Sequence, residues 1–159
     1  MCLALAVGRG DSPLARLDHA NGLVHPSAVV LAGRRDEHEV WYGHAALAAS
    51  GILDLPDRAI RAEGYAAAIE PTLDRVTHSG LAGFWIHLDA DLINPAEMPA
   101  VDSPEPGGPR LHELAELLAP LVRHPRALGM ELTIYDPELD PDRTGAQGLA
   151  HLLEQAWNN

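Results

Sequence analysis

The stretch Gly-Phe-Trp-Ile-His-Leu at residues 83–88, followed directly by Asp89-Ala90-Asp91, decides the fold. A continuous apolar run of this length is typical of a buried strand, and two acids close it. Their i, i+2 spacing points both side chains to one face of the extended backbone. Carboxylates beside a buried strand are costly to desolvate unless a cation compensates them. The pattern predicts half of a metal site, and two hard oxygen ligands favour Mg or Mn over Zn.

Two further apolar runs of strand length occur at residues 28–33 and 127–135. Apolar residues at helical spacing predict three helices, at about 65–76, 111–122 and 144–156. Strands that alternate with helices are typical of a parallel sheet. The sequence therefore predicts an α/β fold in which a parallel sheet carries helices on both faces.

The acids predict a site at the carboxyl edge of the sheet, which is the edge where the parallel strands end and where ligands gather in such folds. Glu131 lies inside the third apolar run, and we expect it to reach the same edge as Asp89 and Asp91. Simpler alternatives stay open, since the two aspartates could cap a turn and Glu131 could be a buried acid paired with an arginine. His87 is expected to pack in the core or to support the site without binding metal.

Composition excludes several classes of protein. The 159-residue chain fits one domain, residues 1–159, and its formal net charge of -12, with eleven scattered arginines and no lysine, argues against nucleic-acid binding. A single cysteine excludes an internal disulfide framework. No apolar run approaches the roughly 20 residues that a membrane-spanning helix needs. We therefore expect a cytoplasmic protein with no membrane partner.

The motif around the two aspartates resembles a known family. Residues 87–95, the Asp-Ser-Pro at 102–104 and the glycine pair at 107–108 are similar to the second metal-binding signature of the arginase/agmatinase (ureohydrolase) family. A helix, a Gly-Met-Glu strand and an Asp-Pro pair at 136–137 then follow in the family's order. The resemblance covers roughly residues 25–157 and corresponds to the C-terminal half to two-thirds of the family fold, so we expect an arginase-like fold truncated at its N-terminus.

The resemblance implies roles for four acidic residues. The family equivalents of Asp89 and Asp91 bind a pair of manganese ions, and the equivalent of Glu131 faces the substrate guanidinium, which makes Glu131 the expected catalytic and substrate-binding acid. Residues 33–36 are similar to the family's Gly-x-Arg-Asp loop, so Asp36 is a second candidate for substrate binding. The implied reaction is metal-assisted hydrolysis of a C–N bond in a small cationic guanidino compound.

The resemblance also implies that the site is incomplete. The family's other metal ligands lie in an N-terminal half without a counterpart in this sequence, so we expect one manganese ion or none, and weak activity or none, in the isolated chain. The alternative is a non-catalytic metal-binding or structural remnant of the fold. A truncated sheet exposes a strand edge and apolar surface, and we expect a homo-oligomer or a complementing chain as partner.

Overall fold

A computed structural model of the chain describes residues 2–10, 13–16, 22–39 and 43–158. The described residues form short strands between helices. The strands are β1 (Val30–Ala32), β2 (Leu53–Leu55), β3 (Phe84–Asp89) and β4 (Ala127–Thr133). The helices are α1 (Cys2–Ala6), α2 (His44–Ala48), α3 (Asp57–Glu63), α4 (Ile69–Val76), α5 (Leu111–Val122) and α6 (Thr144–Asn158). None of these helices is long and apolar enough to cross a membrane.

The strands pair in parallel, as predicted for an α/β fold. β1 pairs with β2, and β3 pairs with β4. In the second pair His87 lies opposite Glu131, and Asp89 lies opposite Thr133. The register shifts by one residue between Phe84 and Trp85, so that β4 carries one extra residue near its start. This register places Asp89 and Thr133 together at the carboxyl edge, where both strands end.

Burial alternates along β3. Phe84 and Leu88 are buried, whereas Trp85 is 58% exposed. The side chains of His87 and Asp89 are 51% and 42% exposed. We call the side of β3 that carries Trp85, His87 and Asp89 the open face. Parallel sheets are usually covered on both faces, and in the described part of the chain this face stays accessible to solvent.

The other side of β3 packs into the main core. Leu88 lies there with Ile93 and Met98, which follow the strand, and with Leu114 of α5 and Leu152 of α6. These five side chains are at most 3% exposed, and full burial of one such side chain stabilises the fold by about 1.5–3 kcal/mol. The core therefore fixes the end of β3 and the turn after it, which is where the predicted site lies.

Three predicted elements are shorter than their apolar patterns. Residues 65–76 divide into a 3₁₀ turn and α4, where Pro71 occupies the first helical turn and its missing N–H costs no intrahelical bond. The first run yields a three-residue strand because a 3₁₀ turn at Pro26–Ala28 precedes it. β4 ends at Thr133 because Ile134 has a φ of 71°, which no extended strand accommodates.

Candidate functional site at the carboxyl edge

Asp89 is the last residue of β3, and its carboxylate is held by two neighbours. Oδ1 accepts a hydrogen bond from Thr133 Oγ1, directly opposite in the register. The same oxygen lies 3.1 Å from His87 Nε2. The side chain remains 42% exposed, so Asp89 presents a fixed carboxylate to solvent at the carboxyl edge.

His87 connects Asp89 to Glu131. Its Nδ1 lies 2.8 Å from Glu131 Oε1, while its Nε2 faces Asp89. Both ring nitrogens of His87 thus face a carboxylate oxygen, so the imidazole lies between the two acids. Glu131 is 51% exposed and pairs with this histidine, so the alternative of a buried acid paired with an arginine is wrong.

Glu131 lies further from the strand end than Asp89. It stands opposite His87, two residue pairs before the pair formed by Asp89 and Thr133. Because alternate residues share a face, all four side chains lie on the open face. The sequence predicted that Glu131 would lie at the carboxyl edge with the aspartates, and the structure links it to Asp89 through His87.

Asp91 lies beyond the strand, in the 3₁₀ turn Ala90–Leu92. Partial burial raises the pKa of Asp91 above its usual range, and the negative charge of Asp89 raises it further. The cation of Arg35 acts in the opposite direction. The two aspartates are thus close enough to repel each other, and a bound cation would relieve that repulsion.

Asp36 lies in the loop after β1 and is paired with its neighbour. Arg34 Nη1 is 3.1 Å from Asp36 Oδ1. Arg34 also donates two hydrogen bonds to the carboxylate of Asp54 in β2, of 2.9 Å from Nε and 2.7 Å from Nη2. The carboxylate of Asp36 remains 33% exposed at a fixed position beside β2.

The donors fit part of a metal site. Asp89 and Asp91 supply hard carboxylate oxygens of the kind that Mn²⁺ and Mg²⁺ prefer. Within the part of the chain that the structure describes, no group of three or more His, Cys, Asp or Glu side chains is arranged to hold a metal ion. Asp89 and Asp91 therefore remain a predicted pair of ligands, and a complete coordination sphere needs further donors.

Two residues at the site were not predicted from the sequence. Thr133 lies inside an apolar run, although a hydroxyl at the end of a strand is a natural partner for a carboxylate on the neighbouring strand. Arg35 sits beside the candidate Asp36, yet its guanidinium reaches the turn that carries Asp91. Only the register of the strands and the path of the loops reveal these contacts.

Comparisons with known proteins point to one family. The model of the arginase family matches residues 12–157. An N(1)-aminopropylagmatine ureohydrolase from Thermus thermophilus is 28% identical over 105 residues, which cover 65% of this chain and 34% of that protein. A formimidoylglutamase from Klebsiella pneumoniae is 33% identical over 73 residues, which cover 46% of this chain and 22% of that protein.

Solved structures give the same result for the fold. A crystal structure of arginase from Bacillus cereus superposes with a TM-score of 0.85 at 26% identity. The match covers 100% of this chain and 54% of that one. The chain thus spans about half the length of the arginase and about a third of the Thermus enzyme.

Proposed function

The chain belongs to the arginase family, and from this premise we propose that it contributes two metal-binding carboxylates to a hydrolase of C–N bonds in small cationic guanidino compounds. The observation that carries the proposal is the placement of Asp89 and Asp91 at the end of β3 and in the turn that follows it, within an arginase-like fold. The activity of a complete enzyme is a proposal, because the chain spans only part of its relatives.

We assign the metal-binding role to Asp89 and Asp91, and manganese is the preferred ion because the arginase family generally depends on it. A divalent ion lowers the pKa of water and so supplies a nucleophile at neutral pH. Thr133 and His87 orient the carboxylate of Asp89. A preset ligand loses less conformational entropy on binding than a free one.

Glu131 and Asp36 are the proposed substrate-binding acids. A half-exposed carboxylate such as that of Glu131 can accept the N–H groups of a guanidinium in a bidentate pair, and the same residue is the proposed catalytic acid. Asp36 would hold a second cationic group of the substrate, since Arg34 fixes its position and leaves part of it exposed. The net charge of -12 favours the approach of a cationic substrate.

A second candidate function is a non-catalytic one, in which the chain is a metal-binding or structural part of the same fold. The observation that favours it is the lack, among the described residues, of any group of three metal-binding side chains. A carboxylate pair alone holds an ion weakly, because most of the coordination sphere must then come from water. If this second function is correct, no substrate yields product, whether or not the chain binds manganese.

The test measures manganese binding and product release with the same protein. The purified chain is titrated with Mn²⁺, and the free ion is followed by electron paramagnetic resonance. The loaded protein is then assayed for urea release from arginine, agmatine and N(1)-aminopropylagmatine, and for formamide release from formimidoylglutamate. The variants are Asp89→Asn and Asp91→Asn, with the exposed Asp142→Asn as the matched control.

We expect the isolated chain to bind one ion weakly, to lose this binding in both site variants and to retain it in Asp142→Asn, with slow product release from a guanidino substrate. Binding without release from any of the four compounds would favour the non-catalytic function. If the wild-type chain binds no manganese, or if Asp89→Asn and Asp91→Asn bind it as well as wild type, the metal assignment is wrong.

A further inference from the structure

Arg35 links the loop after β1 to the turn that carries Asp91. Its Nη2 donates a hydrogen bond to the carbonyl oxygen of Asp91, and its Nη1 donates to that of Leu92 at 3.3 Å. One guanidinium therefore holds two successive carbonyls of a turn that lies more than 50 residues further along the chain. The planar fork of arginine suits this task, because its donors are fixed relative to each other.

The same guanidinium lies against a third loop. A Cβ atom placed on Gly108 would lie 2.5 Å from Arg35 Nη1 and 2.1 Å from the carbonyl oxygen of Leu92. Only a residue without a side chain allows this approach, and Gly108 also has a φ of 80°. The turn is tied to this third loop by a hydrogen bond of 2.8 Å from the amide of Asn94 to the carbonyl oxygen of Pro109. Arg35 thus lies where three loops meet at the carboxyl edge.

The neighbouring arginine performs a different task. Arg34 binds the carboxylates of Asp36 and Asp54, so it anchors its own loop to β2. Arg35 instead contacts backbone carbonyls, which carry no net charge, and it lies near enough to Asp91 for its charge to act on that carboxylate. A cation that only neutralised Asp91 would not need to hold two carbonyls of the turn. The contacts therefore indicate control of backbone position.

We propose that Arg35 is a positioning residue that sets the place of the Asp91 carboxylate relative to Asp89 and couples the loop of Asp36 to the metal-binding turn. This inference rests on the proposed function for its metal. The guanidinium of Arg35 holds the turn in position and is not itself a metal ligand. Its loss is therefore expected to weaken manganese binding without removing a ligand. Outer partners of metal ligands typically contribute about 10- to 100-fold in affinity.

The test compares Arg35→Lys with Arg75→Lys. Arg75 also donates to two backbone carbonyls, those of Ser27 and Gly51, but it lies away from the site. Both variants keep a positive charge and lose the planar guanidinium, but only Arg35→Lys loses contacts to the turn of Asp91. Hydrogen exchange is measured without metal at the amides of Ile93 and Asn94, which bond to the carbonyls of Ala90 and Pro109. Manganese affinity is then measured by electron paramagnetic resonance, and urea unfolding checks that each variant is folded.

We expect Arg35→Lys to speed exchange at both amides by about tenfold or more and to weaken manganese binding by a similar factor. Arg75→Lys should leave both quantities near their wild-type values. If Arg35→Lys leaves exchange unchanged, or if Arg75→Lys has the same effects, the inference is wrong. A wild-type chain that binds no manganese would contradict the proposed function. The exchange data would still decide whether Arg35 fixes the position of the turn that carries Asp91.

Discussion

The imidazole of His87 and the carboxylate of Glu131 meet across β3 and β4, with Nδ1 2.8 Å from Oε1. The contact lies on the open face, where each side chain is 51% exposed. Because water screens such pairs, their interaction is expected to be small but measurable. Its importance is geometric, since His87 also faces Asp89 and so links the proposed substrate acid to a proposed metal ligand.

A double-mutant cycle with His87→Ala and Glu131→Ala tests this contact. We expect a coupling of about 0.2–1 kcal/mol in low salt, measured by urea unfolding at a pH where the histidine is charged. The coupling should fall towards zero near 1 M salt, where the Debye length is about 3 Å. The matched control is His151 and Glu154, which are 3.9 Å apart on the surface of α6. If the coupling of His87 and Glu131 is no larger than that of this helical pair, the two side chains do not form the contact described.

Gly108→Ala should be far more damaging than Gly129→Ala. At Gly108 the new Cβ would meet a backbone carbonyl at a φ of 80°, so strain and overpacking together should cost roughly 2–4 kcal/mol. At Gly129 it would meet the ring of Trp85 at 2.2 Å, but that ring is 58% exposed and can rotate away. We expect a loss below about 1 kcal/mol there. Urea unfolding measures both losses, and equal losses would show that the Gly108 loop is not as tight as described.

The strand of the site and its two acids could be predicted from the sequence, because a strand-length apolar run with a defined end is a local signal. The residues that form β2 and α3 carry no such signal. Leu-Asp-Leu at 53–55 is too short to stand out, and its pairing with β1 decides its conformation. The helix over 111–122 was predicted with its observed bounds because leucines recur along it at helical spacing.

The roles of the site residues were harder to predict because they depend on contacts between distant segments. His87 was expected to pack in the core or to support the site, and the register shows that it joins two acids. The positive φ of Ile134 ends β4 two residues earlier than the apolar pattern, and a β-branched residue gives no warning of it. A sequence pattern identifies the acids, whereas their partners come from the fold.

Asp140 is expected to make stability depend on pH in the acid range. Its carboxylate accepts hydrogen bonds from the amides of Ala146 and Gly145 and from the hydroxyls of Tyr135 and Thr144. The bond from Ala146 contributes most, and together these bonds lower the pKa of Asp140 below its ordinary value of 3.8 although burial acts in the opposite direction. A carboxyl with a lower pKa in the folded state stabilises the fold above its unfolded pKa, and that contribution is lost as the pH falls through the folded value.

Asp140→Asn should therefore unfold at a lower temperature than wild type at pH 7, and the difference should narrow as the pH falls below about 4. Thermal unfolding followed by circular dichroism between pH 2 and 7 measures the two curves. The exposed Asp142→Asn serves as the control and should follow the wild-type curve. A difference between wild type and Asp140→Asn that stays constant across this range would contradict the proposed role of the carboxylate.

The exposed apolar side chains of the β3–β4 pair should cause self-association. Trp85 is 58% exposed and Leu128 is 67% exposed, whereas parallel strands are usually covered. A net charge of -12 opposes contact between copies, so association should strengthen as salt screens that repulsion.

Trp85→Glu and Leu128→Glu should each weaken self-association by about tenfold or more, equivalent to about 1.4 kcal/mol. Leu139→Glu, at a side chain that is 51% exposed elsewhere, should have little effect. Sedimentation velocity over a range of concentrations measures this, and a monomer at every salt concentration would show that the exposed apolar surface is tolerated without a partner.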